Sequence, residues 1–306
     1  MKKVLVATEK PFAPIAVDGI RNVLDKAGYE LVLLEKYTSP EQWKEASKGV
    51  DAMIIRSDKA TADIIEAADN LKIIVRAGAG YDNIDLEACT RNDVVAMNTP
   101  GQNSNAVAEL AFGMMLYLVR KGFNGSSGTE LRGKKLGIHA YGNVGKFVAA
   151  IARGFGMELF AFDPFVDKGD MVNDGITPFD TVEELYKTCD YISLHIPANE
   201  KTKKSINFDL LSLMPKNGTL VNTARKEVID EEGLVRLMQE RQDFNYLSDI
   251  APDCREILEE KYPGRVVFTA KKMGAQTAEA NINAGIAAAT QIVNFLEKGD
   301  KTFQVN

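Results

Sequence analysis

Short apolar runs alternate with amphipathic stretches along the first hundred residues. The apolar runs have the length of strands and are rich in Val, Ile and Leu, and the stretches between them have helical spacing. Gly28, Gly49 and Gly80 punctuate the joins. Strict β-α alternation predicts a parallel sheet with helices on both faces. The predicted strands are 3–8, 30–34, 51–55, 72–75 and 94–97, and the predicted helices are 13–26, 40–46, 61–68 and 84–91.

The same rhythm resumes after a break at Asn98-Thr99-Pro100-Gly101. A predicted connector helix, 107–120, and a glycine-serine loop, 124–128, follow the break. The further predicted strands are 136–140, 157–162, 191–196, 219–223, 245–250 and 266–269, and the further helices are 146–154, 207–213, 231–241 and 278–298. The fold class is therefore α/β, with two Rossmann-like or flavodoxin-like domains that contain parallel sheets and an active-site cleft expected between them.

The break and the closing helix predict a discontinuous first domain. We expect residues 1–98 and 278–306 to form one domain and residues 99–277 to form the other. A chain of 306 residues is long enough for two cores of this size.

Composition narrows the function classes. The net charge of −6 argues against nucleic acid as a partner, since a phosphate backbone requires a basic face. The three cysteines are scattered, which predicts a reducing compartment without a disulfide framework. No apolar run is long enough to span a bilayer, and the amino-terminal residues do not resemble a signal peptide. We therefore expect a cytoplasmic protein with no membrane partner.

The stretch from Leu131 to Asp163 carries a dinucleotide-binding pattern. A strand leads into Ala140-x-Gly142-x-x-Gly145, a helix follows, and a second strand ends on Asp163. Gly142 would let the backbone approach a pyrophosphate, and Gly145 would let the helix pack closely on the strand. The amides at the helix start would point at the anion. Asp163 would bind the ribose hydroxyls and repel a 2′-phosphate, which favours NAD over NADP. Because Ala140 replaces the first glycine, the alternative is an ordinary tight βα turn.

Five stretches, in the same order, resemble the D-isomer-specific 2-hydroxyacid dehydrogenase family, with the closest likeness to the branch that oxidises 3-phosphoglycerate. They are the dinucleotide-binding pattern, the loop within Leu71–Asp85 (RAGAGYDNID), Asn98-Thr99-Pro100 with Ala108-Glu109, His195-Ile196-Pro197, and Asn222-Thr223-Ala224-Arg225. The resemblance implies hydride transfer between C2 of a D-2-hydroxy acid and the nicotinamide of NAD. The expected substrate is a small phosphorylated 2-hydroxy acid, 3-phospho-D-glycerate, oxidised to 3-phosphohydroxypyruvate in serine biosynthesis.

The resemblance also implies roles for single residues. Arg225 would pair with the substrate carboxylate and polarise the 2-oxo group, because its fork of donors suits both tasks. The further substrate residues are Arg56, Ser57, Arg76, Gly78, Ala79, Asn103 and Lys271, of which Gly78 and Ala79 would offer backbone amides. For Arg56 a local structural role is an equal alternative.

The resemblance makes residues 1–98 and 278–306 the substrate-binding domain and residues 99–277 the NAD-binding Rossmann domain. The implied cofactor contacts lie on the loops of this second domain. Asp249 would face the nicotinamide amide, and His195 would be either a cofactor contact or a structural residue. No metal site is expected. The full set is Tyr141, Gly142, Asn143, Val144, Gly145, Asp163, Pro164, His195, Pro197, Thr202, Thr223, Ala224, Asp249, Gly274 and Ala275.

One departure from the family concerns the acid/base residue. The family usually has a histidine held by a glutamate, but the chain contains only His139 and His195, and neither lies at that position. Alignment of Gly274 with the family glycine places Lys272 at the histidine position, and Asp253 or Cys254 at the glutamate position. Lys272 is therefore the candidate general base in oxidation and general acid in reduction.

Three interpretations remain open at this stage. The first is a phosphoglycerate-oxidising dehydrogenase, which the cluster Arg56, Arg76 and Lys271 favours because it would suit a phosphate. The second is a glycerate, glyoxylate or hydroxypyruvate reductase. The third is a non-catalytic NAD-binding interaction protein. A homodimer through the helix 107–120 is expected, although the segment between Arg120 and Leu131 is shorter than usual in the family.

Overall fold

The computed structural model describes residues 1–306 and divides into two compact units. Unit 1 comprises residues 1–103 and 276–306, and unit 2 comprises residues 104–275. These breaks lie a few residues from the boundaries that the sequence predicts. The assignment of a substrate role to one unit and a cofactor role to the other remains a prediction.

Unit 1 is a single parallel sheet with helices on both faces. Its strands pair in the order β2-β1-β3-β4-β5, and every pair is parallel. The elements are β1 (Lys3–Thr8), α1 (Pro14–Lys26), β2 (Glu30–Glu35), α2 (Pro40–Ala46), β3 (Ala52–Ile55), α3 (Ala62–Glu66), β4 (Ile73–Arg76), α4 (Leu86–Arg91) and β5 (Val95–Asn98), with the last helix of the chain, α12 (Ala278–Lys298).

The carboxyl-terminal helix belongs to unit 1 because its buried side packs on α1. Ala284, Ala288 and Ile292 are buried there, and the small alanines allow a close approach of the two helices. Ile282 and Val293 flank this line and are partly buried. Beyond α12, the Val305 N–H donates to the Ala96 carbonyl, which covers the edge of β5.

Unit 2 has the strand order of a dinucleotide-binding sheet. Its strands pair as β12-β11-β10-β9-β6-β7-β8, and all pairs are parallel. The elements are α5 (Ser104–Val119), β6 (Lys135–His139), α6 (Asn143–Gly154), β7 (Glu158–Phe162), α7 (Lys168–Asn173), β8 (Thr177–Pro178), α8 (Val182–Thr188), β9 (Tyr191–Leu194), α9 (Phe208–Ser212), β10 (Thr219–Asn222), α10 (Glu231–Glu240), β11 (Asn245–Ser248), α11 (Arg255–Lys261) and β12 (Val266–Phe268).

The strand order of unit 2 reverses between β6 and β9. Consecutive strands continue outward from β6 in one direction and from β9 in the other. The crevice at the carboxyl ends of the two strands at such a switch point is where ligands bind in open α/β sheets. His139 ends β6 and is registered with Leu194, the last residue of β9. The candidate site in unit 2 therefore lies at the turns that follow these two residues.

The α/β fold class is confirmed, but the sequence analysis missed four elements of unit 2. The missed elements are α7, β8, α8 and α11. The start of α8 had a readable signal, because Thr181 and Glu184 form a capping box. In α11 only Leu258 is fully buried, which leaves little helical periodicity to detect.

Candidate functional site

The turn between β6 and α6 is built to receive an anion. Gly142 is the residue that precedes the helix, and a Cβ built on it would meet no atom within 4 Å. The first N–H groups of a helix have no acceptors within the helix, so they point into this open space. The side chain of Tyr141 is only 1% exposed and lies in the core. Any cofactor contact by Tyr141 must therefore come from its backbone.

Gly145 and Ala140 show two different backbone constraints in the same turn. A Cβ on Gly145 would lie 2.5 Å from the Ala140 carbonyl oxygen, so the close packing of α6 on β6 requires glycine there. Ala140 itself has a φ of 82°, a left-handed conformation that glycine adopts more readily than alanine. The chain thus keeps the backbone shape of the family pattern at Ala140 with a strained residue.

Asp163 follows β7, with its carboxylate held by the backbone. Its two oxygens accept hydrogen bonds from the N–H groups of Tyr141 and Phe165, each at 2.8 Å. An ionised carboxylate has about four acceptor positions. Asp163 therefore retains capacity for two ribose hydroxyls, while its charge would repel a 2′-phosphate.

Thr223 offers a polar atom that has no partner within the protein. It follows β10, and its Oγ1 is buried without a hydrogen bond. A buried hydroxyl without a partner costs free energy, so it marks a place where a ligand can supply the missing bond. The open turn at Gly142, the carboxylate of Asp163 and the hydroxyl of Thr223 together fit a dinucleotide.

Both histidines of the chain are neutral at physiological pH. His139 is 8% exposed and its Nδ1 lies 3.2 Å from the Tyr186 hydroxyl, and burial lowers the pKa of His139 to about 4. His195 pairs its Nε2 with the Ser193 hydroxyl at 2.9 Å, and burial, with a smaller contribution from His139, also lowers the pKa of His195. Both side chains therefore have hydrogen-bond partners within the protein, and neither lies at the position where the family resemblance expects the acid/base residue.

The turn that carries Arg225 is organised by Asn222. The Asn222 side chain is fully buried, accepts the Ala224 N–H at 3.0 Å and donates to the Arg225 carbonyl at 3.0 Å. The Arg225 guanidinium donates to the Ala224 carbonyl at 2.8 Å. This arrangement fixes the direction of the backbone at Arg225 with an amide that sequence reasoning did not single out.

Asp249 has backbone partners within the protein, and its expected contact with the nicotinamide amide stays a prediction. It is 1% exposed, and its carboxylate accepts the N–H groups of Met273 at 2.7 Å and Gly274 at 2.8 Å. The segment that carries Lys271 and Lys272 is therefore attached to the end of β11. Lys271 and Lys272 are both exposed.

Asp253 and Cys254, at the family's glutamate position, have other partners. The Asp253 carboxylate lies 2.7 Å from Lys226 Nζ. Glu231 accepts both backbone N–H groups, at 3.0 Å from Asp253 and 2.9 Å from Cys254. Burial, followed by the nearby Glu231, raises the pKa of the Cys254 thiol to about 12. The Cys254 thiol therefore stays protonated at neutral pH.

The remaining predicted contacts of unit 2 lie on loops. The Thr202 hydroxyl donates to the Pro197 carbonyl at 2.5 Å, which closes the turn after His195. Pro164 is exposed, and Val144 is partly buried against the core of unit 2. Asn143 begins α6, and Ala275 follows the glycine held by Asp249.

In unit 1 the predicted substrate loop folds over an arginine. Arg76 ends β4, and a Cβ on Gly78 would lie 1.9 Å from an Arg76 guanidinium nitrogen. Only glycine allows this approach. The Gly78 N–H donates to the Arg76 carbonyl at 2.8 Å, so its expected role as a ligand donor is taken by an internal bond. Asn98 supports the loop through a 2.6 Å bond to the Ala79 carbonyl.

Arg56 makes the local contacts that were its alternative interpretation. Its guanidinium donates to the carbonyls of Lys10 at 2.9 Å and Pro11 at 3.0 Å, and to the Asn281 side chain at 2.6 Å. Ser57 is exposed beside it. Arg56 thus joins the loop after β1 to the start of α12, and Asn103 lies half-buried at the end of the same unit.

Four polar residues that the sequence analysis missed organise these loops. Asn83 donates to the carbonyls of Arg56 at 3.1 Å and Asp58 at 2.6 Å. Asn98 and Asn222 do similar work, and Glu231 holds the turn before α11. An asparagine as the last residue of a buried strand was the available signal for Asn98 and Asn222.

Comparisons with known proteins assign the family. The model of the D-isomer specific 2-hydroxyacid dehydrogenase NAD binding domain matches residues 115–256. D-3-phosphoglycerate dehydrogenase of Methanocaldococcus jannaschii is 34% identical over 97% of this chain and 58% of that protein. Hydroxypyruvate reductase of Thermotoga maritima is 34% identical over 86% of this chain and 90% of that protein. The chain thus spans little more than half the length of the first relative and nearly all of the second.

A solved structure gives the same assignment. The NAD⁺-bound 3-phosphoglycerate dehydrogenase of Entamoeba histolytica is 50% identical, with a TM-score of 0.85 over 100% of this chain and 98% of that one. The chain belongs to the D-isomer specific 2-hydroxyacid dehydrogenase family. The predicted class is confirmed at the level of the family, and the predicted cofactor, NAD, is confirmed by the matched NAD binding domain.

No helix of the structure combines the length and the hydropathy that are needed to cross a membrane.

Alanine substitutions at the two glycines of the turn should impair different properties, cofactor affinity at Gly142 and stability at Gly145. Gly142→Ala should keep the fold and lower NADH affinity at least tenfold, by about 1.4 kcal/mol or more, because its Cβ would enter the open space in which we expect the pyrophosphate to bind. Gly145→Ala should instead lower stability by about 1–3 kcal/mol through the contact with Ala140. NADH fluorescence titration and thermal unfolding measure the two effects. Unchanged affinity in Gly142→Ala would contradict the placement of the cofactor.

Burial of His139 predicts a loss of stability on acidification. The unfolded chain binds a proton near the ordinary histidine pKa of about 6.5, whereas folded His139 does so only near 4. Stability should therefore be unaffected above pH 6.5 and fall as the pH drops towards 4, with a loss of about 2 kcal/mol at pH 5. His139→Gln, which cannot titrate, should be less sensitive to pH than the wild type in denaturant unfolding followed by circular dichroism. Identical pH profiles would refute this explanation.

Proposed function

We propose that this protein is an NAD-dependent phosphoglycerate dehydrogenase. It would oxidise 3-phospho-D-glycerate to 3-phosphohydroxypyruvate, the first step of phosphorylated serine biosynthesis. The observation that carries the proposal is the 50% identity, over the whole chain, to a 3-phosphoglycerate dehydrogenase with NAD⁺ bound. The anion-binding turn at Gly142 and the carboxylate of Asp163 support the cofactor part of the proposal.

The proposed oxidation removes a hydride from C2 of the substrate and a proton from its 2-hydroxyl group. Bound NAD⁺ supplies the acceptor for the hydride that leaves C2. Lys272, as a neutral amine, takes the proton of the 2-hydroxyl group, so that the products are the 2-oxo acid, NADH and a protonated lysine. In the reverse direction the same lysine donates the proton. The neutral, structurally paired state of His139 and His195 favours this role for Lys272.

Arg225 would orient the substrate. Its guanidinium can bind the carboxylate through two donors and polarise the 2-oxo oxygen, which lysine cannot do with the same geometry. The backbone held by Asn222 supports this role because it fixes where the arginine side chain starts.

The substrate residues of unit 1 fall into two groups. The Ala79 amide and the exposed Ser57 would contact substrate directly. Arg76 shapes the loop under Gly78 and donates its Nε–H to the Arg56 carbonyl at 3.0 Å, whereas the Arg56 guanidinium binds the carbonyls of Lys10 and Pro11 in the loop after β1. Of the basic residues named for the phosphate, the exposed Lys271 is therefore the strongest candidate for direct contact, with Asn103 a further neighbour of the loop in sequence.

A second candidate function is a hydroxypyruvate reductase. The observation that favours it is the Thermotoga maritima relative, of which this chain covers 90%. The same residues would serve, with Lys272 as the proton donor and no phosphate to bind. A non-catalytic NAD-binding protein is less well supported, since the turn that holds Arg225 is intact.

The proposed activity predicts selective turnover and a dependence on one lysine. NADH absorbance should rise with 3-phosphoglycerate at alkaline pH and fall with phosphohydroxypyruvate, with much weaker turnover of hydroxypyruvate and glyoxylate. Because Lys272 must be a neutral amine to accept the proton, the oxidation rate should increase into the alkaline range. Lys272→Ala should lower kcat by roughly 10²- to 10⁴-fold.

Lys271→Ala is the matched control for Lys272→Ala. It should keep kcat within a few-fold and raise KM for the phosphorylated substrate. Turnover of hydroxypyruvate and glyoxylate alone would favour the second candidate function. Full activity of Lys272→Ala would reject the acid/base assignment, and NADH binding without any turnover would leave the non-catalytic interpretation.

We also propose a homodimer through α5. Tyr117, in the last turn of α5, and Phe123, just beyond the end of α5, contact each other edge to face. Their side chains are 45% and 67% exposed. Phe147, on the packed neighbour α6, is 42% exposed. Exposed aromatic side chains on adjacent helices are typical of an interaction surface.

The dimer proposal predicts an effect of charge at one aromatic position. Wild type should sediment at twice the chain mass, whereas Phe147→Glu should shift it towards the monomer. Phe165→Glu, a control at a side chain that is 91% exposed beyond β7, should remain dimeric. Analytical ultracentrifugation at micromolar concentration measures this, and a monomeric wild type would refute the proposal.

We place the protein in the cytoplasm. Cys89, Cys189 and Cys254 are all free thiols, and burial raises the pKa of each to about 12. Free, protonated cysteines fit a reducing compartment.

A further inference from the structure

We infer that Asp249 is a positioning residue that fixes the segment carrying Lys272. This inference rests on the proposed function, because it assigns Asp249 to the geometry of the acid/base lysine. It differs from the expectation that the Asp249 carboxylate binds the nicotinamide amide. The evidence is the set of bonds that this buried carboxylate makes to residues 269–274.

Three bonds join Asp249 to the segment. Oδ1 accepts the Met273 N–H at 2.7 Å, and Oδ2 accepts the Gly274 N–H at 2.8 Å. The Thr269 hydroxyl lies 2.6 Å from the Asp249 carbonyl oxygen and 3.0 Å from Oδ1. Because the carboxylate is 1% exposed, water does not compete for these bonds.

The residues bonded to Asp249 lie on both sides of Lys272 in the sequence. Met273 follows it directly, and Thr269 precedes it by three residues. Residues 269–277 lie outside helices and strands, so no regular ladder fixes their backbone. Asp249, in contrast, follows β11, and its own N–H donates to the Asn222 carbonyl at 3.0 Å. The carboxylate therefore fixes the backbone beside Lys272 relative to the sheet.

Gly274 shows how closely the segment approaches Asp249. A Cβ at this position would lie 2.9 Å from Asp249 Oδ2 and 3.2 Å from a methyl carbon of Val107. Any other residue would push the segment away from the carboxylate or from α5. The absence of a side chain at Gly274 thus allows the backbone there to approach the Asp249 carboxylate at the end of β11.

The positioning role and the direct cofactor role predict different kinetic effects. Loss of a nicotinamide contact would weaken NADH binding. Loss of the backbone attachment would leave NADH binding intact and lower kcat, because a displacement of about 1 Å in an acid/base group can cost up to roughly a hundredfold in rate. Asp249→Asn separates them, since the amide keeps the size of the side chain but directs an NH₂ group at one of the two backbone N–H donors.

The experiment compares Asp249→Asn with wild type and with Asp190→Asn. Asp190 also accepts a backbone N–H, that of Lys135 at 2.9 Å, but it lies before β9 at the opposite edge of the sheet. We expect Asp249→Asn to lower kcat about tenfold to a hundredfold with an NADH Kd within threefold of wild type. Hydrogen exchange at residues 270–274 should rise at least tenfold. Asp190→Asn should change neither.

A double variant tests whether Asp249 acts through the lysine. Asp249→Asn combined with Lys272→Ala should be no slower than Lys272→Ala alone. Should Asp249→Asn fail to fold, Thr269→Val removes one bond of the same set at nearly equal volume and should raise exchange at 270–274 to a smaller extent. A weakened NADH Kd with unchanged kcat, or unchanged exchange in these variants, would overturn the inference.

The exchange measurement keeps this inference separate from the proposed function. A wild type without turnover of any 2-hydroxy acid would reject the function, whereas increased exchange in Asp249→Asn would still support the attachment. Normal wild-type turnover with unaltered exchange in the variant would reject the attachment alone.

Discussion

The parallel pairing of β6 with β9 is the constraint on which the cofactor half of this molecule depends. It registers His139 with Leu194 and places the turns after both strands at one edge of the sheet. The close contact of Gly145 with the Ala140 carbonyl then brings the start of α6 against the same edge. Every group proposed to contact the dinucleotide follows from this arrangement, because parallel strands deliver all their carboxyl ends to one side.

Polar side chains hold the loops at that edge in place. Asn222 fixes the turn of Arg225, Glu231 fixes the turn before α11, and Asp249 fixes the segment of Lys272. Loops have no ladder of their own, so each needs such a bond to the sheet or to a neighbouring helix. The proposed acid/base role of Lys272 is consistent with this design, since a lysine needs no second residue to select a tautomer.

Much of the fold could be predicted from the sequence, because buried parallel strands leave short apolar runs and their spacing sets the topology. The dinucleotide-binding turn could also be predicted from the sequence. The structure shows the steric reason why residue 145 is glycine. The functions of Asp249, Arg56 and Gly78 were less accessible. Their assigned roles came from family position, whereas their actual contacts depend on which backbone groups the tertiary fold brings near, as with Lys10 and Pro11 beside Arg56. Local spacing carries no information about such distant partners.

The central claim is that this chain removes a hydride from C2 of a phosphorylated D-2-hydroxy acid. Incubation of the protein and NAD⁺ with 3-phospho-D-glycerate deuterated at C2, followed by mass spectrometry of the reduced cofactor, tests it most directly. The account predicts one deuterium in each NADH formed and none with the deuterated L-isomer. Reduced cofactor without deuterium, or no reduced cofactor while C2-deuterated glycerate is oxidised, would contradict it.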